Sequence, residues 1–173
     1  MKKIEIQKLT TKDNKMKKIE IQKLTTKDNK PLPLSEFSWD DRSKTFSTSA
    51  DYVSAIIGLP DSTVKTESNS TVTTGGDSTV TTRGDSTVTT GWSSTVTTGG
   101  DSTVKTRGDS TVKTGADSTV TTRGNSTVKT GWSSTVTTGG DSTVKTGSNS
   151  TVTTESNSTV KTGWSSTVKT GAD

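Results

Sequence analysis

The chain has 173 residues, of which 23% are hydrophobic and 4% aromatic, against roughly 45–50% apolar for an ordinary globular domain, so a conventional core is excluded. It contains no cysteine and no histidine, which removes disulfides, thiolate metal sites, Cys nucleophiles, imidazole bases and the commonest zinc ligand together. The net charge of +4 arises in residues 1–60, with twelve Lys/Arg against eight Asp/Glu, whereas residues 61–173 carry ten of each, so a nucleic-acid footprint is not indicated.

Residues 1–15, MKKIEIQKLTTKDNK, recur unchanged as residues 16–30. A perfect copy that opens on a second methionine reads as an assembly artefact, with Met16 the natural start. Ile4 and Ile6, and in the copy Ile19 and Ile21, alternate with polar residues, which predicts a half-buried capping strand. Glu5, Gln7 and Lys8 interrupt the run of about 7–15 apolar residues that a secretory signal needs. The longest apolar cluster, YVSAIIGL at 52–59, falls far short of the roughly 20 residues of a membrane-spanning helix. Membrane insertion is therefore not expected, and the location stays open between the cytoplasm and surface display by a route other than Sec.

Residues 31–60 read as a linker followed by a short cap. KPLPL is extended, because each proline biases its predecessor away from helix. Ser47, Thr48 or Ser49 is placed to cap a short helix over 50–57 that ends at Gly58 and Pro60. Tyr52, Val53, Ile56, Ile57 and Leu59 then form an apolar plug directly before the repeats.

From Asp61 onward a valine falls on every eighth position from Val64 to Val168, giving fourteen octads without insertion. Such strict periodicity signals a stacked architecture. Every octad keeps Ser two before Val, Thr one before it and Thr two after it; the residue directly after Val is Lys in seven octads and Thr in seven. The three remaining positions hold Gly, Arg or Glu, then Gly, Ser, Ala or Trp, then Asp, Asn or Ser, which is turn chemistry.

Period two sorts the sides. With Ser62, Val64 and Thr66 inward, Thr63 and Lys65 face out; the opposite parity would bury seven lysines without partners, which is prohibitive. Each octad is then a five-residue strand closed by a three-residue corner. Stacked about 4.7–4.9 Å apart, the octads set Val on Val and hydroxyl on hydroxyl, with side-chain donors satisfied along the ladder. The fold class expected over residues 61–173 is an all-β solenoid of fourteen octapeptide strands with a small amino-terminal cap. Counted from Val64, the even octads have Thr after Val in five of seven cases and the odd octads Lys in five of seven, which favours two octads per coil with unlike faces. Trp92 and Trp132 then stand on opposite sides, being five octads apart. Three octads per coil, or one per chain in a trimeric needle, stay open at this level.

The units GWSSTVTT (91–98 and 131–138), GWSSTVKT (163–170) and GADSTVTT (115–122) resemble the octapeptide repeats of bacterial ice-nucleation proteins. The resemblance covers residues 61–173. It implies a β-solenoid whose outward Thr-x-Thr rows bind or order ice-like water, with no cofactor. The equivalent residues here are Thr71, Thr73, Thr79, Thr81, Thr87, Thr89, Thr95, Thr97, Thr119, Thr121, Thr135, Thr137, Thr151 and Thr153. This chain departs from the family in lacking a sixteen-residue alternation of unit types, in setting Lys in half the outward pairs and in filling the regular aromatic position of the array only at Trp92, Trp132 and Trp164. The Lys-bearing face reads as a non-ice face serving self-association or solubility, and Arg83, Arg107 and Arg123 as corner partners for Asp or Glu of adjacent coils.

Other motifs are weaker. Arg83-Gly84-Asp85 and Arg107-Gly108-Asp109 spell an adhesion tripeptide, but corners draw on these residues anyway. Asn69, Asn125, Asn149 and Asn157 begin formal glycosylation acceptors and read as turn residues. The GGD corners do not assemble the nonapeptide register of calcium solenoids, so no metal is expected. No carboxylate pair, phosphate loop or nucleophile–base pair appears, so catalysis is not expected. The alternative to water binding is a rigid structural or adhesive element of a surface fibre or of a phage or secretion spike.

Overall fold

The computed structural model describes residues 21–25, 37–40, 42–43, 45–48, 54–57 and 61–171. β-branched Thr-Val-Thr or Thr-Val-Lys triplets suit a pleated surface, and each forms one strand, the first spanning Thr63–Lys65 and the last Thr167–Thr170. Two octads complete a coil. Strands sixteen residues apart pair in parallel with Val on Val, as Val104↔Val120 and Val112↔Val128 do. The even octads build one sheet and the odd octads the other, so the split read from the sequence is a division between two faces. We call them the threonine sheet, running from Thr71–Thr74 to Thr167–Thr170, and the lysine sheet, running from Thr63–Lys65 to Thr159–Lys161.

The inward parity holds. The valines from Val64 to Val152 are at most 1% exposed, and the flanking Ser and Thr are buried with them from Ser62 to Thr154, while Lys65, Lys105, Lys113, Lys129 and Lys145 are exposed. Burying a valine contributes about 1.5–3 kcal/mol, and only the stacking of coils supplies that burial. Regular strand covers the middle three residues of most octads rather than five, although the ladder continues through Thr79 N–H to Ser62 O at 2.8 Å and Thr66 N–H to Thr81 O at 3.0 Å. The shortening has a local cause: the residue directly before each inward Ser takes a positive φ in nearly every octad, 52° at Asp77 and 59° at Asn69 for example. That left-handed bend favours Asp and Asn.

Among the described residues the cap consists of four strands and the turn at 42–43. β1 (Ile21–Thr25), β2 (Phe37–Asp40), β3 (Thr45–Thr48) and β4 (Ser54–Ile57) supply the first two rungs of each sheet. β4 runs parallel to the strand Thr71–Thr74 and antiparallel to β1; β3 runs parallel to Thr63–Lys65 and antiparallel to β2. Residues 54–57 are therefore strand where a short capping helix was expected, because Ser54↔Thr71 through Ile57↔Thr74 extend the ladder and the Ile pair suits that role. Residues 50–53 lie outside the described residues. So do Tyr52, Val53 and Leu59 of the expected plug, together with the side chains of Ile56 and Ile57. A strand lies at Ile21–Thr25, sharing only Ile21 with the alternation from which a capping strand was expected; Ile4, Ile6 and Ile19 fall outside the described residues.

Phe46 is fully buried in register with Val64 and lies 5.7 Å from the Phe37 ring, centroid to centroid. This aromatic pair closes the valine stack. Asp40 ties the β2–β3 turn, accepting from Ser43 Oγ at 2.6 Å and Arg42 N–H at 3.0 Å, and the Ser43 hydroxyl is the main cause holding its carboxyl below the usual range.

Candidate functional site

The fourteen outward threonines implied by the family resemblance all lie on strand surfaces, and the coil geometry divides them. Thr71, Thr73, Thr87, Thr89, Thr119, Thr121, Thr135, Thr137, Thr151 and Thr153 share the threonine sheet. Thr79, Thr81, Thr95 and Thr97 stand on the lysine sheet. On the threonine sheet the pairs 119/121, 135/137 and 151/153 are aligned strand to strand without interruption. Pairs 71/73 and 87/89 form a second block, and Lys105, paired with Thr89 and Thr121, separates the two. The other column carries threonine on every strand, Thr103 included.

The result is a grid of hydroxyl and methyl groups about 4.8 Å apart between coils and about 6.7 Å apart along each strand. Threonine is β-branched, and its χ1 is stiff, so the grid has little side-chain entropy to lose. All ten side chains are exposed or half-buried.

A ladder beneath the grid fixes it. The backbone N–H of Ser70 donates to Ser86 Oγ at 3.3 Å, and Ser86, Ser102, Ser118, Ser134 and Ser150 each donate to the next serine of the column in the same way, at 3.2–3.4 Å. The serine hydroxyls in turn donate to corner carbonyls, as Ser102 Oγ does to Gly100 O at 3.1 Å. This corrects the expected hydroxyl-on-hydroxyl stack: a backbone N–H left spare at the strand end is the donor each Oγ receives, and satisfying it outweighs pairing the side chains. The invariance of Ser within the octad was the available signal, since a merely small residue would not have needed an oxygen.

Corners set the edges of both faces. Gly115, Gly131 and Gly147 open their corners against the preceding coil, where a Cβ would fall 2.6 Å from a backbone nitrogen. Arg83 pairs with Glu67 one coil before, Nε to Oε2 at 2.8 Å, as expected of it; Arg107 and Arg123 are adjacent on the other edge and form no ion pair among the described residues. Trp92 lies over Gly108, whose φ is 29° and where any Cβ would strike the indole ring. Trp132 and Trp164 stand on the opposite edge, 58% and 88% exposed.

Among the described residues no group of His, Cys, Asp and Glu is placed to hold a metal ion, and no helix is long and apolar enough to cross a membrane. No protein-family model, curated protein or solved structure matches this chain.

Proposed function

We propose that the threonine sheet binds ice or ordered water and that the chain is a non-catalytic repeat protein. The observation that carries this reading is the alignment of ten outward threonines on one sheet, six of them in an unbroken three-strand block. Ordering water requires donors, acceptors and methyl groups at fixed, repeated positions. The strand ladder sets the repeat, the buried serine column holds the strands in register, and the stiff χ1 of threonine sets the hydroxyls. Lysine breaks such a surface with a mobile, hydrated charge, so the lysine sheet is the non-ice face.

Replacing Thr73, Thr89, Thr121, Thr137 and Thr153 by Lys tests the assignment, because Lys already occupies this position at Lys105 and Lys169 and the fold accepts it. Ice shaping and recrystallisation inhibition are expected to disappear while the β-sheet circular dichroism spectrum is kept. Unchanged ice shaping by this variant overturns the assignment and leaves the solenoid as a rigid element of a fibre or spike.

A further inference from the structure

The opposite face carries a column that neither the core nor the threonine grid uses. Lys113, Lys129, Lys145 and Lys161 stand in direct register on four consecutive strands, all exposed, at the strand spacing of about 4.8 Å. None of them forms an ion pair among the described residues. Folding does not require the charge, since Thr81 and Thr97 fill the same position on the same sheet. Four like charges at this spacing repel one another, and a partner bearing negative charge along one line relieves that repulsion.

The neighbouring edge carries one counter-charge beside the column, Asp117 in the corner that follows Lys113. Where the chain leaves this sheet, the third corner residues run Asn69, Asp85 and Asp101 before the column, then Asp117 after Lys113, and the uncharged Ser133, Asn149 and Ser165 after Lys129, Lys145 and Lys161. The carboxylates Asp109, Asp141 and Glu155 sit at the far edge, with Arg107 and Arg123 among them. On the near edge stand Trp132 and Trp164, two coils apart and well exposed.

We propose that this face binds a linear acidic polysaccharide, a chain of sugar rings carrying carboxylate or sulfate groups. The lysines meet the anionic groups as point charges, the parallel column Thr111, Thr127, Thr143 and Thr159 offers hydroxyls to the sugar hydroxyls, and the two indoles offer apolar faces to the rings. An anionic bilayer fits less well, because the column is one residue wide and the apolar contribution is two side chains on a single rim, with no amphipathic face to insert. Single-stranded nucleic acid calls for aromatic platforms inside a basic groove, whereas here the face is a sheet and the indoles stand outside the column.

The test measures binding of the full chain to alginate, with neutral dextran, single-stranded DNA and vesicles of anionic phospholipid in parallel. The wild type is expected to bind alginate and not dextran, and to weaken as salt shortens the Debye length. The variant Lys113→Thr/Lys129→Thr/Lys145→Thr/Lys161→Thr is expected to lose about 100-fold in alginate affinity at low salt. A control that removes as many charges elsewhere, Lys105→Thr/Lys169→Thr/Arg107→Gly/Arg123→Gly, is expected to stay within about threefold of wild type. Trp132→Ala/Trp164→Ala is expected to weaken binding with the salt dependence unchanged. Absence of alginate binding by the wild type, equal losses in the two charge variants, or tighter binding to DNA or vesicles than to alginate overturns the proposal. The two faces are opposite, so ice shaping and alginate binding fail or survive independently.

Discussion

Ser70 and Ser86 are joined across one coil: the Ser70 N–H donates to Ser86 Oγ at 3.3 Å, and that hydroxyl donates onward to the Arg83 carbonyl at 3.0 Å. One side chain thus satisfies a buried backbone donor and ties the strand to its own corner. Ser86→Ala keeps the packing and orphans the Ser70 N–H, which costs about 1–3 kcal/mol for a buried donor. Urea denaturation is expected to show that loss, while Thr87→Ala on the outward surface stays within about 0.5 kcal/mol. Equal effects at the two positions would show the column to be packing alone.

The inward threonines behave in two ways, and all but Thr138 of those named here divide by the residue that follows them. Thr90, Thr114, Thr130 and Thr146 donate to the carbonyl of the next residue, a glycine, at 3.2–3.5 Å. Thr66, Thr82, Thr106, Thr122 and Thr154, each followed by Glu or Arg, have a buried Oγ1 with no partner, as does Thr138 before Gly139. Valine is nearly isosteric with threonine. Thr106→Val and Thr122→Val are therefore expected to leave stability unchanged or raise it, whereas Thr114→Val and Thr130→Val lose a hydrogen bond worth about 0.5–1.5 kcal/mol. Paired thermal melts of the single variants check the difference in sign.

Inward parity and the two-octad coil were legible because each position is sampled fourteen times, and one physical prohibition, the burial of unpaired lysine, then decides the side for all of them. The cap had no such redundancy. In residues 54–57 the local signals for a helix end competed with a pairing partner, the strand Thr71–Thr74, that only the folded array presents. Phe37 and Phe46 were missed for a similar reason, although the alternation in Thr45-Phe46-Ser47-Thr48 was the same period-two signal that located the array strands. For the candidate site, the Thr-Val-Thr motif identifies outward threonines but does not contain the parity of the octad, so the motif alone does not separate Thr79, Thr81, Thr95 and Thr97 from the ten on the other sheet. Hydroxyl partners depend on where a corner places its carbonyls, which residue spacing does not carry.

The corner glycines supply a third expectation. A Cβ at Gly131 would stand 2.6 Å from the Ala116 nitrogen and 2.8 Å from its Cα, backbone atoms that move only if the coil spacing changes. Gly131→Ala is expected to destabilise by about 1–3 kcal/mol, the usual cost of overpacking, seen as a lower melting temperature. Ser133→Gly, two residues along at a φ of 53°, is expected to act in the opposite direction by relieving a left-handed non-glycine residue.

Lys105 is the single residue that divides the threonine grid into two blocks, being paired with Thr89 on one side and Thr121 on the other. Lys105→Thr joins strands Thr71–Thr74 to Thr151–Thr154 into one uninterrupted two-column surface of six strands, with no change to the buried Ser, Val and Thr of that octad. If water is ordered by the grid, the gain must exceed that expected from one added hydroxyl, because a contiguous patch engages a crystal plane that neither block spans alone. Ice-recrystallisation inhibition by Lys105→Thr is therefore expected to exceed that of the wild type at equal concentration. Lys113→Thr makes the same chemical change on the opposite sheet and is expected to leave inhibition unchanged, so a matched increase in both variants would trace the effect to net charge rather than to the continuity of the threonine face.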